Sequence, residues 1–213
     1  MGGFMKELVH VIEKCDICSK RFRSMVYAGS KPCLEFKVYE DWIPEGDVNC
    51  VFIGESPPAE KRFFYNPLAE DNLRRSLFNL LGIRERGYEG LHRFRSMGFF
   101  LTDAIKCRVN KKAVRTIPKP VIRNCLKILR LEIDVLAKCK NTRKIVVLGG
   151  TARSALAMLG FEELRNYRVA KDCGMVVESN GFKIFLCTLP FDRNRGYWNR
   201  QEVKEKLKSF LNI

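Results

Sequence analysis

Short apolar runs alternate with longer stretches of helical periodicity along most of this chain. Val48–Ile53, Gly98–Thr102, Ile145–Leu148 and Ile184–Thr188 are almost continuously apolar over the length of one strand. Runs of that kind suit strands covered on both faces, as in a parallel sheet. Between and around them, Lys6–Glu13, Asp71–Leu81, Pro120–Lys138, Gly150–Leu159 and Gln201–Leu211 read as helices. In the 120–138 stretch Val121, Cys125, Ile128, Leu129, Ile133 and Leu136 recur at helical spacing and are expected to face the sheet. A further strand at Met175–Glu178 is expected to turn at Asn180-Gly181 into the last strand. The alternation predicts an α/β fold with a mostly parallel sheet. There is no repeat, no low-complexity segment and no linker rich in Pro, Gly or Ser, so residues 1–213 read as a single domain.

The pattern breaks most informatively after the first apolar run, in Val51–Pro67, VFIGESPPAEKRFFYNP. Gly54-Glu55-Ser56-Pro57-Pro58 follows a buried strand directly. Glycine tolerates close approach by other groups, and each proline fixes its own φ and withholds a backbone donor. A rigid loop at the C-terminal end of a strand is where α/β folds place ligands. It offers the carboxylate of Glu55 and the aromatic triplet Phe63, Phe64 and Tyr65. A carboxylate beside a stacking platform suits a flat polar ring such as a nucleobase. The plainer reading is a solvated glutamate and three core aromatics.

Charge favours the first reading. Against 39 Lys and Arg there are 24 Asp and Glu, a net charge of +15. Such an excess points to a polyanionic partner, nucleic acid before an anionic membrane surface. The basic residues are spread through Lys20–Arg23, Arg84–Arg95, Lys106–Arg115 and Arg193–Arg200 rather than gathered in a tail. No apolar run has the length of a membrane span, and the N-terminus lacks signal-peptide order. An intracellular, cytoplasmic protein of prokaryotic or archaeal type is the expectation.

In that setting the nine cysteines read as ligands and buried thiols rather than disulfides, unless the source is a hyperthermophile. Cys15 and Cys18 form a CxxC pair, and Cys107 and Cys125 bracket a basic segment. Four thiolates in two pairs suit zinc or an iron–sulfur cluster, which spacing does not separate. Cys33 is the main competitor for a ligand position. Cys50, Cys139, Cys173 and Cys187 read as small buried residues.

Taken together, these segments resemble the uracil-DNA glycosylase superfamily, and most of all its iron–sulfur-containing family four branch. The resemblance runs from about Cys15 to Pro190. It rests on the CxxC pair, the Gly54–Pro58 loop, Asp103-Ala104-Ile105-Lys106-Cys107-Arg108 with Cys125, and Leu148–Leu156, LGGTARSAL. It implies a three-layer α/β/α fold around a four-stranded mostly parallel sheet. It also implies a structural [4Fe–4S] cluster on Cys15, Cys18, Cys107 and Cys125, with zinc as the alternative. The activity implied is base excision from DNA by a monomeric N-glycosylase that flips its target base.

By the same resemblance, Glu55 orients water or stabilises the cationic sugar, and Asp103 reads the base. Gly54, Ser56 and the rings of Phe63, Phe64 and Tyr65 line the base pocket, with Phe64 the first choice for stacking. Lys106, Arg108, Lys111, Lys112 and Arg115 are expected to contact phosphates. The loop 189–198 places Arg193 and Arg195 on phosphates and Phe191 or Tyr197 in the gap left by the flipped base.

Two positions depart from the family pattern. Leu189 stands where the family has a histidine that donates to the developing charge on the base, and leucine donates nothing. The two histidines, His10 and His92, have no motif context. Asp103 stands where the family usually has asparagine. An ionised aspartate only accepts hydrogen bonds, so it repels a carbonyl edge unless it carries a proton. Either burial and Glu55 keep Asp103 protonated, or the base is not uracil but hypoxanthine, another damaged base or an amino-bearing one. The departures also leave a second reading, a nucleic-acid-binding iron–sulfur protein that keeps the fold without catalysis. A third is a basic zinc module with no base pocket.

Overall fold

The computed structural model describes residues 2–27, 29–58, 62–110, 112–114, 116–188 and 201–213. Five strands form one sheet: β1 (Cys50–Gly54), β2 (Phe99–Asp103), β3 (Lys144–Leu148), β4 (Val176–Ser179) and β5 (Phe182–Cys187), in the order β2-β1-β3-β5-β4. Three pairings, β2 with β1, β1 with β3 and β3 with β5, are parallel, and β4 pairs antiparallel with β5. The sheet therefore has five strands, not four. The additional one is the hairpin partner that Asn180-Gly181 signals. Asn180 at φ 50 and Gly181 at φ 75 are both left-handed, as a tight hairpin turn requires.

Every residue of β1 is buried, so both faces of the sheet are covered. The principal helices are α1 (Gly2–Lys14), α5 (Asn72–Leu81), α6 (Gly87–Ser96), α7 (Lys119–Cys139), α8 (Gly150–Met158) and α9 (Gln201–Leu211). Short turns of helix, α2 (Ile17–Arg21), α3 (Pro32–Glu35) and α4 (Val38–Asp41), lead from α1 to the sheet. Among the described residues, no helix is long and apolar enough to cross a membrane.

Helix α6 has no counterpart in the hydropathy reading. Its sequence, GYEGLHRFRS, is polar and basic, and only Gly90, Leu91 and Phe94 turn inward. Gly90 is required by close approach, since a Cβ there would stand 2.5 Å from Glu85 O and 2.6 Å from Phe78.

The aromatic triplet also acts through packing. Phe63, Phe64 and Tyr65 are all buried. Strand β2 is an edge strand, and the Tyr65 hydroxyl both donates to Leu101 O (3.0 Å) and accepts from Leu101 N (2.8 Å). One phenol thus satisfies the exposed ladder groups that would otherwise invite pairing. Phe64 packs among Tyr65, Phe78 and Phe94. The buried guanidinium of Arg74 donates to Phe64 O (2.8 Å) and Asn66 O (2.7 Å), and also to Ala69 O, pinning the segment to α5.

Candidate functional site

Strands β2, β1 and β3 end side by side, and the loops leaving their C-terminal ends form the site. Gly54 and Asp103 are register partners at the ends of β1 and β2. Pairing continues into the loops, where Ala104 N donates to Gly54 O (3.0 Å) and Ile105 N to Glu55 O (3.0 Å). A Cβ on Gly54 would stand 2.5 Å from Asp103 Oδ1. Glycine is needed here to admit the aspartate carboxylate.

The Glu55 side chain turns toward β3. It accepts a hydrogen bond from the Thr151 hydroxyl, in the first turn of α8. Gly149, at φ 97, makes the sharp turn that brings Thr151 there. Thr151 belongs to the LGGTA segment, whose role in holding Glu55 is not visible from local sequence. The LGGTARSAL pattern marks the segment without telling what Thr151 holds.

Burial pushes the Asp103 carboxyl up to about 7. The Lys106 ammonium works against this, while the Asp71, Glu132 and Glu55 carboxylates add to it. Near neutral pH the group therefore exchanges between an acid that donates one hydrogen bond and a carboxylate that only accepts. Because the folded protein holds this proton more tightly than the unfolded chain, Asp103 costs stability as pH rises from the ordinary carboxylate range to about 7.

Beneath Asp103 lies a cavity of about 10 Å³, lined by Cys33, Pro57, Phe63, Leu101, Thr102 and Lys106 among others. That is room for about one water molecule, not a base. Phe63, rather than Phe64 or Tyr65, is the ring at this cavity. Phe64, the first choice for stacking, faces the core instead, because it fills the space between α5 and α6. Ser56 is half-buried in the loop between Glu55 and Pro57. Cys33, whose thiol burial pushes up to about 12, forms part of the cavity wall.

Two of the expected phosphate contacts are buried and serve other partners. Lys106 donates to Glu132 Oε2 (2.6 Å), Thr102 Oγ1 (2.7 Å) and Asp103 O (2.7 Å), which uses all three of its protons. Arg108 donates to Ser30 Oγ (2.8 Å), Pro58 O (2.9 Å) and Glu35 Oε2 (3.3 Å). It fastens the loop after β1 to the segment before the sheet. Their positions at the strand end point both chains inward, which a count of basic residues does not reveal. Lys112 is exposed, as a phosphate contact needs. Lys111, Arg115, Leu189, Phe191, Arg193 and Arg195 lie outside the described residues, as do Pro190 and Tyr197.

A charged groove lies near the site. A groove of about 680 Å³ runs from Asp71 past α5 to the turn 82–87. Arg75, Arg84 and Arg86 line it and are exposed. Glu70 and Glu85 line it too, and Asp71 caps α5 by accepting from Arg74 N (2.7 Å). On its rim Leu68 is 95% exposed.

The four cysteines come from the turn after α1 (Cys15), from α2 (Cys18), from the loop after β2 (Cys107) and from α7 (Cys125). A hydrogen bond from Cys125 lowers the Cys18 thiol to about 7, and the same bond raises Cys125. Burial, then the nearness of Cys18 and Cys15, pushes Cys107 up to about 11. Asn124 Nδ2 approaches Cys18 Sγ at 3.8 Å. The Lys31 ammonium, held by Ile12 O (2.5 Å) and Glu13 O (2.9 Å), lies close enough to act on Cys107. Among the described residues, no three Cys, His, Asp or Glu side chains form a group able to hold a metal ion.

Comparison with protein-family models matches residues 40–211 to the family described as the uracil DNA glycosylase superfamily. Gly54, Glu55, Asp103, Thr151, Cys107 and Cys125 fall within the match, and Cys15 and Cys18 precede it. Comparison with curated proteins gave no match.

Proposed function

The chain belongs to the uracil DNA glycosylase superfamily, and from that premise we propose that it is a DNA N-glycosylase excising a deaminated or damaged base. The observation that carries this reading is the placement of Glu55 and Asp103 at the ends of two paired strands, with Thr151 holding Glu55 from a third. Hydrolysis at the sugar C1′ leaves positive charge on the sugar and negative charge on the departing base. Glu55, as a carboxylate, orients the attacking water and stabilises the cationic sugar. Asp103, protonated below about pH 7, donates to a carbonyl oxygen of the base. A preorganised donor at that oxygen stabilises the leaving anion, which is the function Leu189 is unable to perform. Phe63 is the ring best placed to pack against the base once it enters.

DNA lies across the strand ends. Its phosphates meet Lys112 and the groove of Arg75, Arg84 and Arg86, and Leu68 is an apolar wedge between neighbouring bases. Oligonucleotides carrying uracil, hypoxanthine, xanthine or an oxidised base are the direct test, with abasic sites cleaved by alkali. Strand breaks at one or more of these bases are expected, in single or double strands. Absence of breaks in every case sinks the enzyme reading. The non-catalytic alternative is favoured by one observation, the one-water size of the cavity below Asp103. It predicts salt-dependent binding to the same oligonucleotides without cleavage.

We also propose that Cys15, Cys18, Cys107 and Cys125 hold a structural [4Fe–4S] cluster, as in the family four branch. Support comes from the nearness of the Cys18, Cys107 and Cys125 thiols, with Cys15 close to Cys107, and from the Lys31 charge beside Cys107, which suits an anionic cluster. Zinc is the alternative, since four thiolates in two pairs suit either group. The cluster would fasten α1 and α2 to α7 and the loop after β2. Anaerobically purified protein is expected to be brown, with iron and sulfide in equal amounts, and Cys18→Ser to lose both colour and thermal stability. A colourless preparation containing zinc refutes the assignment.

A further inference from the structure

We propose that Glu132, on α7, and Lys106 are a specificity-determining pair that selects the base edge Asp103 reads, without touching the base themselves. This rests on the glycosylase reading of the site.

The pair is buried almost completely, with 3% exposure for Lys106 and 1% for Glu132, and its ions stand 2.6 Å apart. Burying two charges costs several kcal/mol per ion before their attraction is counted, and apolar residues of similar volume often serve stability as well or better. Stability alone therefore does not explain this pair. What distinguishes it is its connection to the strand end. Lys106 Nζ donates to the carbonyl of Asp103 itself (2.7 Å) and to Thr102 Oγ1 (2.7 Å). Thr102 in turn donates to Glu132 Oε1 (2.8 Å). Three groups close on one another, and each donor proton of the lysine has an acceptor.

Successive side chains of a strand point to opposite faces. Thr102 therefore carries the contact to α7 while Asp103 faces Gly54 and the site. The pair acts on Asp103 in two ways, by fixing its backbone and by the balance of charge beneath it. The charged groups facing Asp103 are Lys106 from the loop after β2, Asp71 at the cap of α5, Glu132 from α7 and Glu55 from the loop after β1. Lys106 is the only one of these that favours the carboxylate. Glu132 opposes it, so each partner moves Asp103 in its own direction.

The signs are opposite and therefore testable. In Glu132→Gln the lysine charge acts without its counter-ion, so the carboxylate is favoured and Asp103 loses its proton at lower pH. In Lys106→Met the proton is kept to higher pH. Each variant is expected to move the midpoint by at least about half a pH unit, a threefold change in the ratio of protonated to ionised Asp103 at fixed pH. Carboxyl carbon NMR of labelled protein reads the Asp103 midpoint directly, with Asp103→Asn identifying the signal. The pH profile of excision and the ratio of rates on carbonyl-edged and amino-bearing bases are expected to move with it.

If a single variant fails to fold, Lys106→Met/Glu132→Leu replaces the pair with apolar side chains and is expected to fold. Its midpoint is expected between those of the two single variants. Shifts of the same sign, or no shift in folded protein, overturn the proposal. If no base is excised by any variant the enzyme reading fails, but the NMR midpoints still decide whether the pair controls Asp103.

Discussion

Glu55→Gln is expected to lower base excision by about two to three orders of magnitude, the loss typical of removing a preorganised electrostatic contact to the reacting groups. The side chain is half-buried, bonded to Thr151 and placed one residue beyond the strand. Glutamine keeps its size and its ability to accept from Thr151, so the fold is expected to survive. What it lacks is the negative charge that orients water and balances the cationic sugar. Single-turnover cleavage measured beside affinity for an uncleaved abasic analogue separates these effects. A loss of affinity with an unchanged cleavage rate would reassign Glu55 from the reacting sugar to DNA binding.

Gly54→Ala is expected to disable the site from the other direction. Its Cβ would stand 2.5 Å from Asp103 Oδ1, well inside contact distance, so the carboxylate must turn away or the strand ends must separate. Overpacking of this kind costs about 1–3 kcal/mol. Excision is expected to fall at least about tenfold through displacement of Asp103, as small misplacements of catalytic groups do. The double change Gly54→Ala/Asp103→Ala separates the causes, since it removes the clash and is expected to restore melting temperature without restoring activity. If Gly54→Ala alone keeps both stability and rate, the contact between the two strand ends is not part of the site.

These two positions also show how unevenly the site could be read in advance. Gly54 and Glu55 stand out in the sequence because a glycine and a carboxylate follow a buried run, whereas Asp103 is singled out only by the resemblance. Thr151 does not stand out, because its role depends on β3 lying next to β1 rather than on anything near it in the chain. Lys106 and Arg108 looked like phosphate contacts. Their side chains instead turn under the strand end, where Glu132 and the Pro58 carbonyl receive them. Phe64 and Tyr65 looked like a stacking platform. They are held inside by α5, α6 and the open edge of β2, and Phe63 alone reaches the cavity. Helix α6 was hidden because its buried face is only Gly90, Leu91 and Phe94, too narrow a stripe to stand out from its basic residues.

The sequence by itself determined what depends on neighbours along the chain: the buried strands, the long amphipathic helices, the Asn180-Gly181 hairpin and the loop that carries Glu55. Hydrophobic period and turn chemistry are local, so they survive translation into one dimension. Only the tertiary structure decided which charges face solvent and which are spent inside. Charge on a basic residue is the same letter whether it meets a phosphate or a buried glutamate. The difference lies in strand order and helix packing, which put Glu132 beneath Lys106, Thr151 beside Glu55, and the exposed arginines 75, 84 and 86 along a groove next to the site.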